Sequence, residues 1–295
     1  MQYTASNNLK KGVLLIITAF FFFATMFAAQ KGASGIPSIQ ILFFQYAMSF
    51  LIIAPVALRN GIKPIKSAHI GLLIIRSVGG ACGNLLFIVA VMKMQLVNAV
   101  LLSSSGPLII PLVALIWVGI SINRMVWISL LNGLTGVCLI IKPSDNLLSN
   151  PASLIALSAA IFNAVSGVAA HKLTTTEPML RILFYNSGLP TLLIAPLCFF
   201  VWKWPNSEQF ELLCCTGVLY ATGGLLYVLA LENATAAALA PFIYSGVVFS
   251  GIYGWFFFKN VPDILSLIGM IVVIFGGILS MRAEPRHGIM HCHNR

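Results

Sequence analysis

The sequence predicts an all-α polytopic membrane protein with ten transmembrane helices arranged as two inverted five-helix repeats. Three observations lead there. Hydrophobic residues make up 59% of the 295 residues and charged residues only 8%, where soluble domains run near about 45–50% and about 25%. Apolar stretches of about 20 residues recur between the sparse charges, and such a stretch spans a hydrocarbon core of roughly 30 Å at about 1.5 Å rise per residue. The chain also matches itself at a constant offset of 140 residues.

The spans follow in order. The first, 12–30, opens after Lys10 and Lys11 as a secretory leader would. At about 19 residues it is long for a cleavable apolar core, and it has a counterpart later in the chain, so it is read as retained. "KGASGIPS" separates it from 39–58, "RNGIKPIKS" precedes 69–91, and "KMQ" precedes 97–118. "SINR" leads into 124–141, which completes the first repeat, 1–145. "KPSDNLLSNP" opens the second repeat, 146–282, with spans at 152–171, 179–201, 210–230, 236–257 and 263–281, divided by "HKLTTTEP", "KWPNSEQ", "ENAT" and "KNVPD". Pro, Gly and Asn cluster at these breaks, as loops require. Residues 283–295 form a cytoplasmic tail.

Charge sets the orientation. Lys10, Lys11, Arg59, Lys63, Lys66, Arg124, Lys172, Arg181, Arg282, Arg286 and Arg295 fall on one side, eleven against five for Lys31, Lys93, Lys142, Lys203 and Lys259. Positive charge collects on the cytoplasmic side, which places both termini there, in a bacterial inner membrane. The net charge of +10 implies no nucleic-acid partner, because the basic residues are scattered singly and form no stripe with aromatic platforms. Five of the six cysteines, Cys82, Cys138, Cys198, Cys214 and Cys215, lie in apolar segments without ligand spacing and read as small hydrophobes. The tail groups His287, His291, Cys292 and His293 read as solvated rather than metal-binding. No cofactor or metal is expected.

The repeat is ungapped. Leu72–Ala90 falls on Leu212–Ala230 with identities at Leu72, Leu73, Val78, Ala81, Gly83, Leu85, Leu86 and Ala90. The same offset pairs Ala19 with Ala159, Phe44 with Phe184, and Ser105-Gly106 with Ser245-Gly246. Five spans is an odd number, so the second copy enters the membrane from the opposite side. Inverted repeats of this kind belong to carriers with a substrate site near the midplane.

The two copies resemble the EamA branch of the drug/metabolite transporter superfamily. The resemblance rests on "IRSVGGACGNLLFIVAVMKMQLVNAVLLSSSGPLIIPLVALIW", at Arg76, Phe87, Ala90, Ala99, Leu102 and Pro107, and on "ATAAALAPFIYSGVVFSGIYGWFFFKNVPDILSLIGMIVVIFGGIL". Ala240-Pro241-Phe242 with Tyr244, and Val261-Pro262-Asp263, are similar to a subgroup that includes S-adenosylmethionine uptake carriers and several exporters. The chain departs from the family where Gly-Glu is common, reading Gly119-Ile120 and Lys259-Asn260, and where Arg is common in the second span, reading Gln45. The resemblance implies a carrier of small polar metabolites, with amino acids and their derivatives foremost.

Polar residues inside the spans are the candidate site. Arg76 lies roughly 10 Å into the third span, and an intramembrane charge marks function by default. Gly80, Gly83 and Phe87 follow on nearly the same face. Arg76 either contacts a substrate carboxylate or phosphate or snorkels to the surface. Its repeat mate is Thr216, so a shared cavity would be electrostatically asymmetric. Tyr220, Gly224 and Tyr227 share one face of the eighth span, and Tyr244, Gly251 and Trp255 one face of the ninth. These form either a stacking pocket or close helix packing. Gln45, Tyr46, Asn84, Asn98, Asn163, Tyr185 and Asn186 are further buried polar groups, which need partners in lipid.

The fourth span carries "LLSSSGPLIIPL" at 101–112. Pro107 frees a carbonyl of the preceding turn, and Ser103 and Ser105 either satisfy that turn or face a cavity. With Tyr244 and Ser245 as the twin in the ninth span, the expectation is a paired midplane kink. The acids, Asp145, Glu177, Glu208, Glu211, Glu232, Asp263 and Glu284, all fall in or near loops, which speaks against proton relay. An intramembrane enzyme lacks a base beside the serines, and a channel lacks charged rings or filter loops. The expected protein is a monomeric or homodimeric carrier whose partners are a small-molecule substrate and the lipid bilayer.

Overall fold

The computed structural model describes residues 9–60, 67, 69–94, 96–103, 105–118, 124–141 and 151–258, with isolated positions between 264 and 275. Among these residues every regular element is helical: α1 (Leu9–Gly32), α2 (Ser38–Arg59), α3 (Ile70–Lys93), α4 (Leu96–Ser103), α5 (Gly106–Val118), α6 (Arg124–Ile141), α7 (Pro151–Thr174), α8 (Met179–Phe200), α9 (Ser207–Asn233), α10 (Ala236–Leu239), a 3-10 segment (Ala240–Tyr244) and α11 (Ser245–Phe258). Among the described residues seven helical stretches are long and apolar enough to cross a membrane, the seventh being the 3-10 segment run on into α11. Their outer faces carry exposed leucine, isoleucine and phenylalanine, such as Leu14, Leu51, Leu192 and Phe199. That much exposed apolar surface is stable only against lipid.

Nine of the ten expected spans appear among the described residues. The tenth, 263–281, the tail 283–295 and the boundary at 145/146 lie outside them, apart from isolated helical positions such as Ile264 and Ile268. Two spans are not single helices. The fourth is split between α4 and α5, and the ninth is broken into α10, the 3-10 segment and α11. The eighth begins earlier than the expected 210, at Ser207, because Asn206 and Gln209 form a capping box. Gln209 N donates to Asn206 Oδ1 at 2.7 Å, and Asn206 N donates to Gln209 Oε1 at 3.1 Å, which satisfies two orphan donors of the first turn.

The breaks explain themselves locally. Pro107 sits in the first turn of α5, where its missing N–H is harmless. Ser105 N and Ser105 Oγ both donate to Leu102 O, at 3.3 and 2.8 Å, and Ser103 Oγ donates to Val100 O at 2.9 Å. The serines thus satisfy carbonyls of the interrupted turn. In the second copy Pro241 stands at the start of the 3-10 segment. Subtracting 140 puts that segment at 100–104, so the two breaks sit at matching places.

Packing follows the repeat. The pairs α1–α9 and α3–α7 are intimate, as are α2–α8, α2–α9 and α3–α8, and α11 lies on α1 while α4 and α5 lie on α7. Shifting by 140 residues turns α1–α9 into α7–α3, α2–α9 into α8–α3, α1–α11 into α7–α5, and the contacts of α1 with α10 and the 3-10 segment into α7–α4. Each of these contacts of one copy with the other therefore has a mate in which the copies are exchanged. Small residues permit the close approaches: α7 buries Ala152, Ala156, Ala159, Ala160, Ala164, Gly167, Ala169 and Ala170, which lets backbones come together where apolar burial alone gives no drive between helices.

The ends of the bundle are tied by polar bonds between and within copies. At one end Gln40 and Lys203 exchange a reciprocal pair, Nε2 to Lys203 O at 2.7 Å and Lys203 N to Gln40 Oε1 at 3.0 Å, and Gln209 Nε2 donates to Ser34 O at 3.0 Å. Lys31 Nζ at the end of α1 caps α3 through Val91 O and Met94 O at 2.5 and 2.9 Å. At the other end the buried Glu177 accepts from Ser67 Oγ and, at 2.5 Å, from Arg181 Nη1. Burial pushes the Glu177 carboxyl up. The bonds from Ser67 and Arg181, with the Arg181 charge and nearby His69, outweigh it and hold the group below its ordinary value.

Candidate functional site

A cavity of about 160 Å3 opens where the two copies meet, lined from α1, α3, α4, α5, α7, α9, the 3-10 segment and α11. Its lining divides into two walls. The α3–α7 wall carries Arg76, Asn84, Phe87, Asn163 and, just behind it, Ser166. The α1–α9 wall carries Phe20, Phe23, Phe27, Tyr220 and Tyr227.

Arg76 is held rather than snorkelling. Its Nη1 donates to Ser166 Oγ at 2.6 Å, and Ser166 Oγ donates back to Arg76 O at 2.7 Å. The guanidinium faces the Tyr227 ring at 5.9 Å. Its Nε is buried without a partner, and no carboxylate pairs with it among the described residues. The guanidinium thus carries a charge that no acid of the described residues neutralises. Gly80 makes room: a Cβ there would stand 2.9 Å from Ser166 Oγ and 3.4 Å from Arg76 Nη1.

Behind the lining lies a cross-copy polar network. Asn84 Nδ2 donates to Tyr46 Oη at 2.8 Å, Asn186 Nδ2 donates to Tyr220 Oη at 2.9 Å, and the two hydroxyls meet at 3.4 Å. Tyr46 and Asn186 are repeat mates, so each copy supplies a Tyr–Asn pair with the two residue types exchanged. Gln30 Nε2 donates to Gln45 Oε1 at 2.7 Å in the buried α1–α2 contact.

Of the residues singled out in the sequence, Arg76, Gly80, Asn84, Phe87, Ser103, Asn163, Tyr220 and Tyr227 line the cavity. Asn186 supports Tyr220 from behind. Gln45 is buried against Gln30, and Tyr185 packs beside Phe184. Ser105 is used by the α4–α5 break. Tyr244 is fully buried, its ring filling the space beside Gly133 of α6. Ser245 is half-buried with an unpartnered hydroxyl. Trp255, expected on the same face as Tyr244, is 47% exposed among Phe256 and Phe257, so the two do not share one pocket. Pro107 lies in α5, and its side chain and all of Ser104 fall outside the described residues.

Sequence reasoning missed Ser166 and the α1 aromatics. Phe20, Phe23 and Phe27 recur at helical spacing, but in a phenylalanine-rich span that pattern equally fits lipid. Asn163 is the signal that was available: its repeat mate is Phe23, and both line the cavity.

A bundle of membrane-length helices around a central amphipathic cavity defines a polytopic membrane protein with a solute-sized space at its core. Residues 10–142 and again 150–282 match the EamA-like transporter family, and the chain belongs to that family. It is 29% identical over 278 residues to the pseudopaline exporter CntI of Pseudomonas aeruginosa, covering 94% of this chain and 98% of that one. It is 24% identical to a riboflavin transporter of Brucella anthropi (88% and 93% covered) and 25% identical to an S-adenosylmethionine uptake transporter of Rickettsia bellii (84% and 85% covered). A solved crystal structure superposes with a TM-score of 0.77 over 93% of this chain and 98% of that chain at 15% identity, which shows the shared fold.

Proposed function

We propose that this chain is a secondary-type carrier that moves a small polar metabolite across a bacterial inner membrane by alternating access between two oppositely oriented five-helix halves, 1–145 and 146–282. The observation that carries the reading is the cavity at the junction of the copies, with a half-buried arginine on one wall that meets no carboxylate among the described residues. Holding Arg76 in an apolar bundle costs several kcal/mol (about 2.5–3.5 on insertion scales), and substrate contact is what repays that placement. Amino-acid derivatives are the leading substrate class, with S-adenosylmethionine a specific case: a carboxylate meets Arg76 while a flat ring lies on the aromatic wall. The names of the relatives support a small-metabolite cargo.

Among the described residues no carboxylate or histidine lines the cavity, which favours exchange or potential-driven movement over proton coupling. Counterflow in proteoliposomes tests the carrier. Trans-loaded unlabelled substrate should accelerate uptake of label, and a pH gradient at clamped potential should leave the flux unchanged. Flux that collapses with the pH gradient overturns uncoupled movement; non-saturating flux without counterflow overturns the carrier. Both termini are assigned to the cytoplasmic side, in a monomer or homodimer.

A further inference from the structure

We infer that the repeat has divided its cavity into a headgroup half and a ring half, so that the site takes a solute with a carboxylate-bearing polar head joined to a planar heteroaromatic ring, in one orientation. This deepens the carrier reading above and rests on it. The argument is positional. The 140-residue offset carries the α3–α7 wall onto the α9–α1 wall, and corresponding residues from both walls line the same cavity. Asn163 corresponds to Phe23, Gly80 to Tyr220, and Phe87 to Tyr227.

At two of these levels, Asn163 against Phe23 and Gly80 against Tyr220, the α3–α7 wall is polar or open where its mate is aromatic, while Phe87 and Tyr227 are aromatic on both walls. Arg76 is matched by Thr216, whose hydroxyl is turned back to Leu213 O at 2.7 Å. Ser166, which anchors Arg76, is matched by the apolar Met26. A symmetric cavity would accept a solute in two orientations related by the pseudo-two-fold. Here the reversed pose puts a carboxylate against phenylalanine rings and leaves the guanidinium facing an aromatic edge, and burying a charge without partners is strongly disfavoured. Asn163 and Phe23, at equivalent positions, are the specificity-determining pair.

The same scaffold explains why the head needs an anion. Arg76 is tethered at Nη1 by Ser166 and meets no carboxylate among the described residues, so an anionic head supplies the counter-charge it lacks. The opposite wall offers ring faces: Phe23 lies 6.2 Å from Tyr220 and 6.5 Å from Tyr227, tilted to both.

Binding of three probes to the purified full chain tests the division: adenosine (ring alone), L-methionine (head alone) and S-adenosylmethionine (both). S-adenosylmethionine should bind at least about tenfold more tightly than either part. Asn163→Leu should weaken S-adenosylmethionine about tenfold, the scale of one lost polar contact, and leave adenosine unchanged. Phe23→Leu, which keeps the volume nearly apolar and the fold intact, should weaken S-adenosylmethionine and adenosine alike and leave methionine unchanged. Equal binding of methionine and S-adenosylmethionine, equal loss of adenosine and S-adenosylmethionine in Asn163→Leu, or no binding of any probe overturns the inference. Counterflow separates it from the carrier reading. The binding pattern without counterflow retains the two halves and rejects the carrier; counterflow without the pattern retains the carrier and rejects the two halves.

Discussion

At the residue scale, glycines decide what the cavity can be. Gly217 on α9 meets α2 so closely that a Cβ would stand 3.2 Å from the backbone oxygens of Phe44 and Gln45 and strike Met48. Backbone cannot give way, so Gly217→Ala should destabilise by about 1–3 kcal/mol, read as a lower unfolding temperature in detergent. Gly83→Ala is different: all three nearest atoms, from 2.6 to 3.0 Å, belong to the Asn163 carboxamide. That side chain can swing, so this variant should fold and lose ligand-induced stabilisation instead. Arg76 was legible in the sequence because a charge inside an apolar span has few explanations. Ser166 was not, because a serine in an alanine-rich helix looks like any small packing residue until its hydroxyl is seen on the guanidinium.

At the element scale, the broken spans and the end ties carry the testable content. Ser105→Ala removes the donor to Leu102 O at 2.8 Å and should cost about 1 kcal/mol, measured by denaturation in mixed micelles. The tie at Glu177 is pH-dependent. Its folded value is depressed, so its stabilisation is fully present above the ordinary carboxylate value and is lost as pH falls through the lower folded value. Wild type should exceed Glu177→Gln in thermal stability at neutral pH by about 2 kcal/mol, the scale of charged hydrogen bonds, and the two should converge under acid. Helix existence was readable from apolar length, and the serine–glycine–proline motif marked the break in the fourth span. The 3-10 segment of the ninth was marked only by its position in the repeat, since "APFIY" by itself reads as continuous helix.

At the scale of the whole molecule, the packing exchanges the two copies while the chemistry of the cavity does not. If the ends open out of phase, locking one end stops turnover without abolishing binding. Gln209 Nε2 reaches Ser34 O at 3.0 Å, so paired substitutions Ser34→Cys and Gln209→Cys in a background without other cysteines place two thiols across that end for a short cleavable bifunctional thiol reagent. Bridging them should arrest counterflow, and cleaving the linker should restore it. Unchanged flux in the fully cross-linked protein would rule out movement at that end as part of the cycle.

Composition and the 140-residue offset determined by themselves that this chain is a helical membrane protein built twice, because apolar length and self-similarity are properties of the linear chain. They also exposed Arg76, since intramembrane charge is rare enough to stand out. What only the tertiary structure decided is which polar and aromatic residues share a space. Tyr244 and Trp255 lie on one helical face in sequence yet one is buried against α6 and the other is half exposed, whereas Asn163 and Phe23, 140 residues apart, line one cavity. Helical periodicity tells which side a residue takes on its own helix; what stands opposite is set by how the helices cross, and that is a property of the packed bundle.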